Sequence, residues 1–424
     1  MKAGYSHMRC GLVGEHLGHS FSAIIHKEIA DYSYELVELA EGEVEAFVKN
    51  GGFDAFNVTI PYKQTVLPFL DSISDEAKRI GAVNTVVRRP DGRLFGYNTD
   101  YFGFDGMLQR LGVDVKGKKA VVLGSGGASL TACAVLRDRG VRELVVVGRR
   151  SENNYENLHL HADAEILVNT TPVGMYPSNG VAPVSLDQFP RCSAVLDVIY
   201  NPARTALLLE AEARGIPCIN GLYMLVAQAV KAFEFFTGDE AEAGVIETVT
   251  ASIDASTKNL ILVGMPGCGK STVGKLLAKK MGRPFFDADE EFTAVWGRTP
   301  AEVIQSEGED RFRKMEHDIL VALGKKSGTV IATGGGAVTR EENYAPLHQN
   351  GVIVYLKRNL DKLSTKGRPL SQGNDLQALY DARKSAYERF ADLSVQSTEV
   401  KEKTVQTILK RLTEGRDFYE TIGD

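Results

Sequence analysis

The sequence predicts an α/β protein whose parallel sheets carry two separate glycine-rich turns at strand-to-helix junctions. Two stretches of like design make the case. Lys119-Ala120-Val121-Val122-Leu123-Gly124-Ser125-Gly126-Gly127-Ala128 and Leu260-Ile261-Leu262-Val263-Gly264-Met265-Pro266-Gly267-Cys268-Gly269-Lys270-Ser271-Thr272 each run from apolar residues into glycines and then into helical sequence. Unbroken apolar runs suit strands covered on both faces, as in parallel sheets. Length is the third observation: 424 residues call for two or three folding units at about 100–200 residues each.

Composition narrows the field. Hydrophobic content of 43% and charged content of 25% are those of an ordinary globular chain. A net charge of −6 argues against nucleic acid or an anionic membrane as the main partner. Met1 to Arg9 holds no apolar core of signal-peptide length, and no run reaches the roughly 18 apolar residues of a membrane-spanning helix, so a cytoplasmic protein is expected. Cys10, Cys133, Cys192, Cys218 and Cys268 lack paired short spacings, which suits reduced thiols.

In chain order, Arg9 to Gly14 reads as a strand and Ala23 to Tyr32 as a helix, with Ser20 and Ser22 at its start. Two hydroxyls there suit a carboxylate, or Ser22 simply caps the helix. In Phe56-Asn57-Val58-Thr59-Ile60-Pro61-Tyr62-Lys63, strand alternation puts Phe56, Val58 and Ile60 on one face and Asn57 and Thr59 on the other. Pro61 then ends the strand and delivers Lys63 beyond its tip. Gly81-Ala82-Val83-Asn84-Thr85 and Gly96-Tyr97-Asn98-Thr99-Asp100 are polar clusters at strand ends, which taken singly suit turns. The first glycine-rich turn has the dinucleotide-binding context, with Ser129 at its third small position. The following strand, Glu143 to Val147, closes on Gly148-Arg149-Arg150, and arginines there favour a 2′-phosphate, hence NADP(H).

In order and spacing these motifs resemble shikimate dehydrogenase over about residues 8 to 253. Asn169-Thr170-Thr171-Pro172-Val173-Gly174-Met175, Asp197-Val198-Ile199-Tyr200-Asn201-Pro202 and Gly221-Leu222-Tyr223-Met224-Leu225-Val226-Ala227-Gln228 extend the match. The resemblance implies that Ser20 and Ser22 hold the substrate carboxylate and that Thr59, Asn84, Asp100, Tyr200 and Gln228 surround the ring hydroxyls. Lys63 and Asp100 would handle the proton. Gly124, Ser125, Gly126, Gly127, Ala128, Arg149, Arg150, Val198 and Gly221 would hold NADP(H). Ala23 and Tyr223 depart from residues usual in that family (Pro and Gly), and the span Ser151 to Ala164 is short, implying a trimmed crossover without its helix.

The second turn reads as a phosphate-binding loop: glycines expose N–H groups to phosphate, Lys270 reaches the β- and γ-phosphates and Ser271 serves Mg²⁺. Asp287 and Asp289 close a strand beyond it. Gly308 to Glu316 is charge-dense, suiting a solvated helix face, whereas Gly334-Gly335-Gly336 suits a polar ligand against bare backbone. With Gly367-Arg368-Pro369-Leu370 and Arg383-x-x-x-Tyr387, the order resembles shikimate kinase over 258 to about 412. The resemblance implies that Asp289 contacts shikimate and acts as base, with Gly335 beside it, and that Arg313 and Arg383 clamp its carboxylate. Ser271 and Asp287 would serve Mg²⁺; Gly267, Cys268, Gly269, Lys270, Ser271 and Thr272 would hold ATP; Lys270 and Arg368 would neutralise the transferring phosphoryl. The expected domains are a substrate-binding domain at 1–104 completed by 221–253, a Rossmann NADP-binding domain at 105–220, a polar linker at 254–259, and a P-loop kinase domain with a parallel sheet at 260–424. The substrates implied are 3-dehydroshikimate and shikimate. The competing readings are a quinate dehydrogenase or non-catalytic shikimate sensor in the first part, and another small-molecule kinase in the second.

Overall fold

The structure is a computed structural model in which residues 2–18, 20–363 and 376–414 are described. The chain divides into two compact units. One comprises Met1–Met175, Val181–Tyr200 and Leu207–Asp254; the other comprises Tyr176–Gly180, Asn201–Ala206 and the chain from Ala255 on. Among the described residues no helix is long and apolar enough to cross a membrane.

The first unit is built on two sheets. Strands β1 (Arg9–Gly14), β2 (Ser33–Glu38), β3 (Ala55–Val58), β4 (Ser72–Ile73), β5 (Thr85–Arg88) and β6 (Leu94–Tyr97) form a mixed sheet in the order β2-β1-β3-β5-β6-β4. β1 and β3 pair in parallel and β3 and β5 antiparallel, with Asn57 opposite Thr85. Strands β7 (Lys119–Leu123), β8 (Glu143–Val147), β9 (Ile166–Asn169), β10 (Ala194–Asp197) and β11 (Cys218–Ile219) form a wholly parallel sheet in the order β11-β10-β9-β7-β8. β7 is buried along its length, as its apolar run requires. Only a short 3₁₀ turn, Leu158–His161, lies between β8 and β9, so the trimmed crossover does lack an α-helix.

Two helices hold the sheets of this unit together. Thr99–Leu111 starts at the polar cluster after β6 and is capped by the Asn98 side chain, which accepts from Tyr101 N. Leu222–Thr237 packs along it so closely that a Cβ at Gly103 would lie 2.5 Å from the Met224 carbonyl oxygen. The boundary expected at 104/105 thus falls inside a helix. β3 also ends earlier than the alternation predicts. It stops at Val58, the Tyr62 N–H turns back to the Thr59 carbonyl, and Ile60, expected on the buried face, is 76% exposed.

The second unit holds one parallel sheet of β12 (Asn259–Val263), β13 (Phe285–Asp287), β14 (Val330–Ala332), β15 (Gly351–Lys357) and β16 (Leu393–Gln396), ordered β13-β14-β12-β15-β16. The strand that opens it is therefore central, and the turn at its carboxyl end sits at the switch point of strand order, where ligands bind in open α/β sheets. The 254–259 segment, expected as a polar linker, is instead ordered structure. Helix Val245–Thr257 runs through most of it and β12 begins at Asn259. Arg283 donates to the carbonyls of Ala255 and Lys258, and Gly328 N donates to that of Thr257.

Candidate active sites

In the first unit the loop after β3 of the mixed sheet meets the glycine-rich turn of the parallel one. Lys63, just beyond β3, donates from Nζ to Asp100 Oδ2 at 2.5 Å, and Asp100 sits in the first turn of Thr99–Leu111. Both side chains are largely shielded from solvent, at 17% and 9% exposed. A Cβ at Gly127 would lie 3.5 Å from Lys63 Cδ, so the start of helix Gly127–Asp138 touches the lysine stem. The lysine–carboxylate pair and the glycine-rich turn are thereby neighbours.

A buried polar network stands beside this pair. Asn84 Oδ1 accepts from Thr99 N at 2.7 Å and lies within 3.2 Å of the Thr85 and Thr99 hydroxyls. Its oxygen is committed, and its NH₂ is the group left for a ligand. Gln228 donates from Nε2 to the Leu225 carbonyl, and its Oε1 lies 3.4 Å from Thr99 Oγ1. Asn57 bridges Tyr34 to Thr85. The sequence signals singled out Asn84, Asp100 and Gln228 but missed Thr85 and Thr99, the residues that join them.

Ser20 Oγ accepts from Ser22 N at 3.2 Å and donates to Ser22 Oγ at 3.1 Å. Ser22 is the first residue of helix Ser22–Ile29, and its N-cap, Phe21, makes no side-chain bond, so capping by Ser22 is not what the structure has. Tyr200 packs its ring on Phe21 at 5.1 Å, and burial raises its phenol above the usual range. The Thr59 methyl packs against Gly14 at the end of β1, where a Cβ would meet it at 2.6 Å.

The residues expected to hold NADP(H) also converge. Gly124 has φ +107, with Thr170 Oγ1 2.7 Å from where its Cβ would be. Gly221 passes so close to Val198 that a Cβ would lie 2.0 Å from its carbonyl oxygen. Ser125 Oγ is 3.3 Å from the Cβ position of Gly148, which brings the turn to the end of β8, where Arg149 and Arg150 are exposed. Ala128 follows inside the helix. Bare backbone at the turn, a helix start behind it and cations at its rim fit a dinucleotide bearing a 2′-phosphate.

In the second unit the loop after β12 opens helix Lys270–Met281. Gly267 and Gly269 have φ +83 and +104, backbone that side chains other than glycine's rarely allow. Lys270 is buried and donates to the carbonyls of Gly264 and Met265 at 2.8 and 3.2 Å. Cys268 is buried, and Thr272 follows Ser271 in the first helical turn. Ser271 Oγ is 2.5 Å from Asp287 Oδ2, a hydroxyl and a carboxylate of the oxygen-donor kind that Mg²⁺ takes.

The three glycines after β14 have no room for side chains, two of them because charged groups crowd in and the third because of a proline ring. A Cβ at Gly334 would lie 2.4 Å from Glu316 Oε1 and 3.5 Å from Asp289 Oδ1; at Gly335, 2.6 Å from the Pro266 ring; at Gly336, 2.0 Å from Arg313 Nη2. Arg313 is buried and donates to Glu316 at 2.7 Å and Glu309 at 2.8 Å. Burial pushes the Glu316 carboxyl above its usual range, and Arg313 offsets part of that. The Gly335 carbonyl accepts from Arg383 Nη1 at 3.3 Å and from the Tyr387 hydroxyl. Arg313 and Glu316 face inward on helix Glu309–Gly324, so the solvated-face reading fails for them, and Glu316 went unnoticed as a site residue. Arg368 lies outside the described residues.

A lysine–carboxylate pair against a dinucleotide turn, and a phosphate loop with carboxylates at the end of β13 and the helix after it and with arginines from two further helices, define the class: an α/β dehydrogenase and a small-molecule kinase in one chain. Sequence comparison makes this particular. Residues 12–86 match the shikimate dehydrogenase substrate binding domain, 221–249 the shikimate 5′-dehydrogenase C-terminal domain and 266–413 shikimate kinase. Shikimate dehydrogenase (NADP(+)) of Clostridium perfringens is 38% identical over 260 residues, covering 56% of this chain and 96% of that one. The crystal structure of shikimate dehydrogenase 1 from Peptoclostridium difficile matches with a TM-score of 0.55 and 38% identity, over 58% of this chain and 97% of that one. The Thermus thermophilus enzyme, in complex with NADP(H) and shikimate, matches with a TM-score of 0.53 and 33% identity, over 58% and 99%. The chain belongs to the shikimate dehydrogenase family and carries a shikimate kinase domain behind it, making it a bifunctional shikimate-pathway enzyme.

Proposed function

We propose that the first site reduces 3-dehydroshikimate to shikimate with NADPH and that the second phosphorylates shikimate to shikimate 3-phosphate with MgATP. The observation that carries the reading is the Lys63–Asp100 contact beside Gly127. NADPH supplies the hydride. Lys63 gives a proton to the carbonyl oxygen as it becomes a hydroxyl, and Asp100 orients the ammonium. Ser20 and Ser22 bind the carboxylate, and Thr59, Asn84, Tyr200 and Gln228 fix the ring. Arg149 and Arg150 select the 2′-phosphate.

At the second site Asp289 accepts the proton of the attacking hydroxyl, while Arg313 and Arg383 clamp the carboxylate against the three glycines. Ser271 and Asp287 would hold Mg²⁺, which spreads the charge of the β- and γ-phosphates. Lys270 neutralises the same oxygens. The purified chain given 3-dehydroshikimate should oxidise NADPH, and added MgATP should then yield shikimate 3-phosphate. NADPH oxidation without that product would remove the kinase half of the reading; no oxidation would remove the other half.

A further inference from the structure

The buried network of the first site is fed from a strand that does not itself reach the site. Tyr34 stands on β2 and Asn57 on β3, with β1 between them in the sheet. Two strand spacings come to about 9.5 Å, so only a long side chain laid across β1 joins them. Tyr34 does this: its hydroxyl donates to Asn57 Oδ1 at 2.8 Å, and its ring is stacked on His26 at 3.9 Å and 12°. His26 belongs to the helix that Ser22 opens. The tyrosine is therefore held in place by the element that carries one of the two serines.

The protons along these bonds all run toward Asn84. Asn57 is buried, and its carboxamide has one oxygen to accept and two N–H groups to donate. Its NH₂ donates to the Asn84 carbonyl at 3.2 Å and to Thr85 Oγ1 at 3.0 Å. A carbonyl oxygen only accepts, so the Asn57 amide cannot turn over without setting oxygen against oxygen. Its own oxygen then requires a donor, which Tyr34 supplies. Thr85 Oγ1, having accepted from Asn57, donates its proton to Asn84 Oδ1 at 3.1 Å. Asn84 is thus gripped twice, at its backbone carbonyl and at its side-chain oxygen, and its NH₂ is the group it can offer a ligand.

We propose that Tyr34 is a positioning residue of the dehydrogenase: acting through Asn57 and Thr85, its hydroxyl fixes the Asn84 carboxamide so that the NH₂ donates to an oxygen of the substrate ring. The proposal rests on reading Asn84 as substrate-binding. Without the hydroxyl, Asn57 keeps a buried oxygen that has lost its donor. The amide then leaves its place to find another, and both bonds that grip Asn84 slacken.

The test is a double-mutant cycle on the full chain, read as KM for 3-dehydroshikimate. Tyr34→Phe keeps the ring and its stack on His26 and removes only the hydroxyl. It should raise that KM about ten-fold and leave KM for NADPH unchanged. In an Asn84→Ala background the same substitution should add less than about two-fold, because the group that Tyr34 serves is gone. A ten-fold loss that persists there would show that Tyr34 acts by another route and overturn the assignment. So would a normal KM in Tyr34→Phe when Asn84→Ala alone raises it. A lowered Tm with KM raised for both 3-dehydroshikimate and NADPH would show a general loosening and overturn it too. If Asn84→Ala alone leaves KM unchanged, the reading of Asn84 itself falls and takes Tyr34 with it.

Discussion

Lys63 is held at the tip of a sheet by one carboxylate, Asp100, and touches the first helical turn of the dinucleotide half. Lys63→Ala should lower 3-dehydroshikimate reduction at least about 100-fold and leave shikimate phosphorylation unchanged, measured on one preparation. Near-normal reduction would mean that the proton comes from another group. Arg149→Asp should raise KM for NADPH more than for NADH, because a carboxylate would face the 2′-phosphate; equal changes would unseat Arg149 from that role. At this scale much of the site was legible, since Lys63, Asp100, Asn84 and Gln228 stand in short motifs. Thr99 was not, because its value lies in reaching Gln228, 129 residues away, a proximity only the folded chain creates. Glu316 stood in view at the end of a charge-dense stretch, but its role was hidden for a related reason. A charged helical stretch reads as solvated until the glycine turn that buries it is in place.

Among the elements, the Gly334–Gly336 turn shows how absent side chains shape a site. Arg313 cannot yield easily to a methyl group at Gly336, because Glu309 and Glu316 hold its guanidinium on two sides. Gly336→Ala should therefore raise KM for shikimate about ten-fold or more while ADP affinity, measured by titration, stays near that of the unsubstituted chain. The helix Ser22–Ile29 carries a second consequence. Its His26 is buried, stacked on Tyr34 at 3.9 Å and bonded to the Tyr32 hydroxyl at 2.6 Å, and burial holds its pKa down to about 3. The unfolded chain binds that proton more tightly, near pH 6.5, so the His26 contribution is whole above that pH and falls by about 1.4 kcal/mol per unit below it. Loss of dehydrogenase activity on heating should shift to lower temperature between about pH 6.5 and 5, and His26→Phe should flatten that shift. Element types were legible from apolar runs and glycines. Their ends were less so: Ile60 followed the alternation on paper, but β3 stops two residues earlier, where a turn replaces the ladder.

For the whole chain, the sequence read correctly as a dehydrogenase followed by a kinase, because each part repeats a full set of ordered motifs. The join was the least legible part. Asp254 to Asn259 is polar and looks like a connector, yet the carbonyls of Ala255, Thr257 and Lys258 are all taken by groups of the kinase unit. A protease must draw a segment of backbone into its own cleft, and these bonds would have to break first. Native trypsin digestion should leave the Lys258–Asn259 bond intact, as read from fragment masses, and Arg283→Ala, which releases two of the three carbonyls, should open it. Early cleavage there in the unsubstituted chain would show that the bonds do not persist. A separately expressed kinase should accordingly begin before Ala255: a shorter start would discard not spare tether but part of the enzyme's own fabric.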